Sequence, residues 1–220
     1  MNTFRAAIIG LGKIGFEYGS KVDNKYVLSY AGAFRLHGGF ELTAGFDIDE
    51  KKISAFQRKY RVPGYHYNDM KKHLEGIDAV VIASSTESHF KVFKDIVSSC
   101  KPRILIMEKP LSSDLRQARE IVSLCKKNNV PLYVNYFRRV DPGIAQLKRL
   151  IDRKKLGRLR FVDIYYGQDL LNNGSHFIDL MLYLLGSPKS IRLLRRSGKK
   201  DVDFVFYYNQ LLVFFRSSIG

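Results

Sequence analysis

Cysteine, acidic residues and long apolar runs are scarce in this 220-residue sequence. There are two cysteines, Cys100 and Cys125. Neither lies in a metal-like spacing, so no metal site is expected. Two thiols are also too few for a disulfide framework, which predicts a reduced, cytoplasmic protein. No apolar run reaches the roughly 18 residues of a membrane span. The opening "MNTFRAAIIGLGKIG" has too short an apolar run for a secretory signal, and it leads into a glycine pattern instead of a cleavage site. Internal repeats and low-complexity tracts are absent from the sequence. Acidic residues number 21 against 37 Lys and Arg, a formal charge of +16. That excess raises a nucleic-acid partner as one reading. The basic residues, however, are spread as KK and RR pairs, with no basic tail, RNP-like motif or zinc-finger spacing. A solvated basic surface and a groove for a phosphorylated small molecule remain as the other readings. The expectation is no nucleic acid and no membrane.

What is present is enough apolar residue, 45%, to build a core, with 26% charged. Residues 1–136 alternate strands with helices. Near-continuous apolar runs predict strands at Arg5–Gly10, Phe40–Phe46, Ile77–Ala83, Arg103–Met107 and Pro131–Tyr136, each covered on both faces. Helical spacing predicts helices over Asp49–Tyr60, Ser88–Ser98 and Ser113–Asn128. Alternation of this kind predicts α/β architecture with a doubly wound parallel sheet. From residue 137 the pattern changes. Asp141 can cap a helix with Pro142 in its first turn and Gly157 at its end. "GRLRFVDIYYG" alternates as a strand, with Leu159, Phe161, Asp163 and Tyr165 on one face and Val162, Ile164 and Tyr166 on the other. "GSHFIDLMLYLLG" is apolar nearly all round and reads as a buried helix. Ser190–Ser218 holds two or three more strands, with turns near Ser197–Lys200 and Asn209. A second α+β domain over 137–220 follows.

The first strand runs into Gly10-x-Gly12-x-x-Gly15. Gly10 permits the tight turn, Gly12 lets backbone approach a pyrophosphate, and Gly15 lets the next helix pack on the strand. The helix start then offers N–H groups and the positive dipole end to the phosphates. Lys13 is either a cation near those phosphates or a solvated side chain. Asp47, at the end of the second strand, can accept from both ribose hydroxyls of an adenosine and would repel a 2′-phosphate, which favours NAD over NADP. It can also cap the following helix, and the two roles are compatible. Asp47 lies further from the glycines than the usual ~20 residues. The surplus, Glu17–Gly32, delays the first helix and would form a lip over the site.

Two further stretches hold polar residues where apolar ones are expected. "MEKPLS", Met107–Ser112, places Glu108 and Lys109 at the end of a buried strand, as a solvated strand exit or as part of a site. In "NNGSHFID", His176 and Asp179 share a helix face. They are either a buried pair that pins the helix or a functional pair. In the functional case His176 is a general acid–base, since imidazole titrates near neutral pH, and Asp179 orients it or binds substrate.

Together these segments resemble the Gfo/Idh/MocA family of NAD(P)-dependent oxidoreductases. The resemblance runs from Arg5 to about Pro188. It rests on the glycine loop, "VVIASSTESHF", "MEKPLSSDLRQA", "YVNYFRRVDP" and "NNGSHFIDL". The third-strand motif is a partial match, with Ala83, Ser84, Ser85, Thr86 and His89 standing where the family has Ala-Thr-Pro-Asn and then His. The Glu-Lys-Pro triplet is intact. The resemblance implies a Rossmann domain followed by an α+β domain with an open, mainly antiparallel sheet, shortened here. It implies NAD, with NADP less favoured, held by Gly10, Gly12, Lys13, Ile14, Gly15, Asp47, Ser84, Thr86, His89, Glu108 and Lys109. Lys109 would touch the nicotinamide ribose and the reacting oxygen, polarising it as a cation. Glu108 would hold the ribose side or orient the lysine. The peptide before Pro110 is often cis in the family. Asn135, Arg138 and Asp179 would bind substrate. Arg138 and Arg139 point to an anionic substrate such as a nucleotide sugar of surface-polysaccharide synthesis, or else support the domain junction.

Asn172 stands where many family dehydrogenases carry aspartate. An amide hydrogen-bonds a hydroxyl but accepts no proton, so it is a substituted member of the catalytic set Lys109, His176 and Asn172. The chain is also shorter than its relatives and stops near an apolar strand, which predicts a homodimer or larger assembly through the second domain. The resulting expectation is an NAD-dependent dehydrogenase acting on a secondary alcohol of a sugar, sugar acid, polyol or nucleotide sugar. The alternative is an NAD-binding relative that acts as sensor or assembly partner.

Overall fold

A computed structural model describes residues 3–19, 27–198 and 201–218. The chain divides into two compact units, Met1–Asn135 and Tyr136–Gly220. The first unit carries six parallel strands: β1 (Phe4–Ile9), β2 (Phe40–Asp47), β3 (Gly64–His66), β4 (Ala79–Ile82), β5 (Ile104–Met107) and β6 (Leu132–Val134). Their order, β3-β2-β1-β4-β5-β6, is that of a Rossmann sheet, reversing between β1 and β4. Both faces are buried at the central strands β1 and β4, which is why these read as unbroken apolar runs, whereas at the edge strand β6 Tyr133 is exposed, against the expectation of cover on both faces. Along β1, Ala7 and Ile9 enter one apolar cluster while Ala6 and Ile8 enter the opposite one. Strand β4 divides the same way, with Val80 and Ile82 on the first side and Ala79 and Val81 on the second.

The helices α2 (Glu50–Tyr60), α4 (His89–Ser99) and α5 (Leu115–Lys127) lie where the spacing predicts them. Asp49 caps α2 by accepting from Lys51 N, and Asp114 caps α5 by accepting from Arg116 N and Gln117 N. Helix α1 (Tyr30–Leu36) and the single turn α3 (Met70–His73) complete the unit. Strand β3 is absent from the sequence reading because Gly-Tyr-His has no apolar run and its pairing to β2 is tertiary. The glycine loop is followed by one five-residue π-type turn, Lys13–Glu17, instead of a long helix. The dipole offered to phosphates is therefore that of one turn, a correction to the expectation of a helix start there. Part of the proposed Glu17–Gly32 lip, residues 20–26, lies outside the described residues.

The second unit opens with α6 (Pro142–Asp152), capped by Asp141, whose carboxylate accepts from Gly143 N and Ile144 N. The helix ends at Asp152, five residues before Gly157, because the chain turns at Lys154 with positive φ. Strand β7 (Phe161–Tyr166), helix α7 (Ser175–Leu185) and strands β8 (Ser190–Ser197), β9 (Asp201–Tyr207) and β10 (Leu212–Ser217) follow. The sheet order is β7-β10-β9-β8, with β10 parallel to β7 and the other two pairings antiparallel. Of the turn expected near Ser197–Lys200, residues 199–200 lie outside the described residues.

Helix α7 buries Leu180, Met181 and Leu184 against Ile164, Tyr166, Phe204, Phe206, Val213 and Phe215. Each such side chain contributes about 1.5–3 kcal/mol. The other face of the sheet is open. Phe161 and Tyr165 on β7 are 68% and 66% exposed, beside an Arg216–Asp163 ion pair at 3.1 Å. Among the described residues, no helix is long and apolar enough to cross a membrane.

Candidate active site

The glycine loop leaves β1 with Gly10 at φ +100°, and a Cβ on Gly10 would meet Ser84 N at 2.4 Å. A Cβ on Gly15 would meet the Gly10 carbonyl oxygen at 2.1 Å, so the turn closes tightly on the strand exit. A Cβ on Gly12 would meet no atom within 4 Å. Gly12 therefore faces open space, which is the requirement for a backbone that a pyrophosphate approaches. Lys13 is exposed and Ile14 half-buried against the β1 side of the core.

Asp47 closes the loop from the neighbouring strand. Its Oδ2 accepts from Leu11 N at 2.7 Å, and its Oδ1 accepts from Ile48 N and Asp49 N at 2.8 and 3.0 Å. Asp49, not Asp47, caps α2. Three of about four carboxylate acceptor positions are thus filled by backbone, leaving capacity for about one ribose hydroxyl instead of the two expected, and Asp47 lines a cleft.

That cleft, about 680 Å³, is lined by Gly10, Gly12, Asp47 and Ser84 from the sequence-derived set. It lies at the carboxyl ends of β1, β2 and β4, where open parallel sheets bind ligands, and its volume suits a cofactor-sized molecule. Ser85, a position of the third-strand motif, also lines it, as do Lys52, Tyr67, Asn68, Ser88 and Lys91, which sequence reasoning missed. Tyr67 donates to Asp95 Oδ2 at 2.6 Å, which also receives Lys91 Nζ at 2.9 Å. Burial first, then this hydrogen bond, pushes the Tyr67 phenol up to about 12. The same carboxylate holds the Lys91 ammonium above its usual range. Tyr67–Asp69 is a single 3-10 turn between β3 and α3 with no periodicity, so no sequence signal marked it.

Thr86 opens the short turn Thr86–Ser88 ahead of α4. His89 is buried, at 1% exposure. Its Nδ1 lies 3.0 Å from the Pro110 carbonyl oxygen and its Nε2 lies 3.1 Å from that of Ser84. Carbonyls only accept, so a neutral ring donates to one of them and a charged ring to both. His89 thus ties the loop after β4 to the loop after β5. The Lys109–Pro110 peptide between them is cis.

Glu108 leaves β5 and takes two side-chain donors on Oε1, Tyr30 Oη and Asn135 Nδ2, each at 2.7 Å. Lys109 N lies 3.3 Å from its Oε2. Tyr30, 78 residues away in sequence, lies in the Glu17–Gly32 stretch expected to form a lip, but carries no motif that marks it.

In the second unit His176 is buried on α7. Its ring meets Tyr136 and Phe137 nearly edge-on, at 5.8 and 5.5 Å between centroids. Asp179 shares its helix face, but both Asp179 oxygens accept from Arg139, at 2.7 and 2.5 Å. The carboxylate holds the Arg139 guanidinium above its usual range. Arg138 instead lies over the rings of Phe137 and Phe177. Its Nη1 is buried with no hydrogen-bond partner among the described residues. Asn172 is exposed and donates its amide to Gln168 Oε1 at 2.7 Å.

The chain is similar to several known proteins. The chain is 26% identical over 178 residues to inositol 2-dehydrogenase of Salmonella typhimurium, covering 80% of this chain and 46% of that protein. It is 27% identical over 203 residues to scyllo-inositol 2-dehydrogenase (NAD(+)) of Bacillus subtilis, covering 83% and 54%. The chain therefore spans about half the length of the curated relatives it matches. In fold it resembles the WlbA dehydrogenase of Bordetella pertussis, whose crystal structure holds NADH and UDP-GlcNAcA. The TM-score is 0.80 at 19% identity, covering 98% of this chain and 66% of that one. Residues 4–136 match the profile of the oxidoreductase family with an NAD-binding Rossmann fold. With the loop, cleft and Glu-Lys-Pro exit in place, the chain belongs to the Gfo/Idh/MocA family of oxidoreductases.

Proposed function

We propose that this protein is an NAD-dependent dehydrogenase acting on a secondary alcohol of a polyol, sugar or nucleotide sugar, in the cytoplasm. The observation that carries the reading is the cleft: Gly12 open toward it, Asp47 at its ribose end, and the charged strand exit Glu108–Lys109 nearby in the same sheet. NAD bound there supplies an electrophilic ring carbon that accepts hydride. The alcohol carbon gives up hydride, its hydroxyl gives up a proton, and a carbonyl forms. Lys109 polarises the oxygen and stabilises its developing charge. His176 takes the proton, as an imidazole suits that role near neutral pH. Arg138, with its buried Nη1, favours a substrate bearing an anionic group, such as a nucleotide sugar. Asp179 and Asn172, engaged by Arg139 and Gln168, orient the helix and contact substrate hydroxyls. Ser84 and Thr86 border the cofactor, with His89 supporting the loops on either side.

The test is calorimetric titration with NAD and NADP, followed by a screen of NAD reduction with inositols, sugars and UDP-sugars. Binding of NAD at least tenfold tighter than NADP, with turnover of a polyol or sugar, is the expected result. Tight NAD binding without turnover of any substrate would support the sensor reading, for which Asn172 in place of aspartate is the favouring observation.

The reading extends to a homodimer formed through the second unit. The uncovered sheet face carries Phe161 and Tyr165. The edge strand β8 exposes Ile191 and Leu193 beside buried Phe206 and Phe204. Covering such side chains is worth about 1.5–3 kcal/mol each. Gel filtration is expected to give the dimer volume, and Phe161→Lys with Tyr165→Lys to shift it to the monomer. Elution of the unaltered protein as a monomer counts against this.

A further inference from the structure

Glu108 has its two oxygens in different circumstances. Oε1 accepts from both the Tyr30 hydroxyl and the Asn135 amide, at 2.7 Å each. A carboxylate oxygen has two lone pairs, so Oε1 is filled. Oε2 receives one long contact, 3.3 Å, from the next residue's N–H, and keeps acceptor capacity. The two donors come from distant segments: the first residue of α1 and the residue after β6. Tyr30 is itself anchored, because α1 is capped by Ser29 and buries Ala31 and Phe34 in the core. Burial, followed by the neighbouring Glu108 charge, pushes the Tyr30 phenol far above its ordinary range. It therefore remains a hydrogen-bond donor throughout the pH range in which the protein is used.

We propose that Tyr30 is a positioning residue of the cofactor site: together with Asn135 it occupies one oxygen of Glu108 and so aims the other at a hydroxyl of the nicotinamide-side ribose. The inference rests on the dehydrogenase reading for its ligand but adds a residue that no motif marks. Tyr30 itself touches no cofactor. It acts through the carboxylate, which without it would rotate to share its donors between both oxygens. A network of this kind is apportioned by double-mutant cycles.

The experiment is calorimetric titration with NAD and with ADP, which ends at the pyrophosphate and lacks the second ribose. Tyr30→Phe keeps the ring and removes only the donor. It is expected to weaken NAD binding about three- to tenfold, the range of one lost hydrogen bond, and to leave ADP binding unchanged. In a Glu108→Gln background the same change is expected to cost less than about half as much, since Tyr30 acts through that carboxylate. Should Tyr30→Phe fail to fold, Asn135→Leu removes the other donor, and the same NAD-selective loss is expected. Unchanged NAD binding, equal weakening of NAD and ADP, or additive effects with Glu108→Gln would each overturn the proposal. If the unaltered protein binds ADP but not NAD, the dehydrogenase reading falls with it. If it binds NAD and Tyr30→Phe binds equally well, only this inference falls.

Discussion

Lys109→Met is expected to reduce hydride transfer by about a thousandfold or more, while NAD binding weakens by no more than about tenfold, the range of one lost contact to the ribose. The side chain follows β5, a central strand with β4 on one side and β6 on the other. Residues leaving the carboxyl end of such a strand enter the ligand crevice of a doubly wound sheet. A cation aimed at an oxygen that gains negative charge is worth more in the transition state than in the ground state, so its loss falls on kcat. Removing one donor to a developing oxyanion costs about 10²–10³ in rate, and removing a full charge costs at least as much. Methionine preserves the length of the chain, which separates the charge from its packing. The measurement is single-turnover NAD reduction with the best substrate from the screen, alongside NAD calorimetry. A rate within tenfold of the unaltered protein would sink the role given to Lys109.

The second large effect is a contrast between two glycines three residues apart. Gly12→Val is expected to abolish NAD binding, by about a hundredfold or more, with no change in thermal midpoint. The new side chain meets nothing within 4 Å at its Cβ, so the fold has no reason to lose stability. It does occupy the space in front of the loop where a pyrophosphate would lie. Gly15→Ala is expected to behave in the opposite sense. Its Cβ would lie 2.1 Å from the Gly10 carbonyl oxygen, a backbone atom that cannot move without opening the turn. Overpacking of this kind typically costs about 1–3 kcal/mol, and a rigid backbone partner places it at the upper end. Thermal melts with and without NAD check both. Equal destabilisation by the two changes would show that Gly12 is also packed, and that the loop is not shaped around a ligand.

The architecture of the first unit was largely legible along the chain. Strands buried on both faces leave continuous apolar runs, and the helices between them leave helical spacing, whereas their caps, Asp49 and Asp114, came only with the structure. The second unit was legible in its alternating strand, where Ile164 and Tyr166 are buried while Phe161 and Tyr165 face outward. Strand β3 escaped because three residues of mixed character have no period. The π-type turn at Lys13–Glu17 escaped because glycine spacing specifies a turn but not how far the helix after it extends.

The candidate site was legible where one short motif carries its own geometry, as with Gly10, Gly12, Gly15 and the Glu108–Lys109–Pro110 exit. Elsewhere the chemistry depends on which partner reaches a side chain. Asp47 could be seen as a ribose ligand or a cap; the structure gives the cap to Asp49 and ties Asp47 to the glycine loop. His89 matched a motif position, yet its two nitrogens face carbonyls of separate loops. His176 and Asp179 looked like one pair by helical spacing, whereas Arg139 takes both Asp179 oxygens.

The sequence by itself determined the longer strands, the Asp141 cap, the glycine turn and the motifs that mark the family, because each is written in residues within one or two turns of one another. Tertiary structure alone decided that Tyr30 and Asn135 hold Glu108, that Tyr67 and Lys91 meet at Asp95, and that Arg139 neutralises Asp179. Those contacts join side chains brought together by sheet order and helix packing. A hydrogen bond depends on a few tenths of an ångström of placement, which no local periodicity encodes.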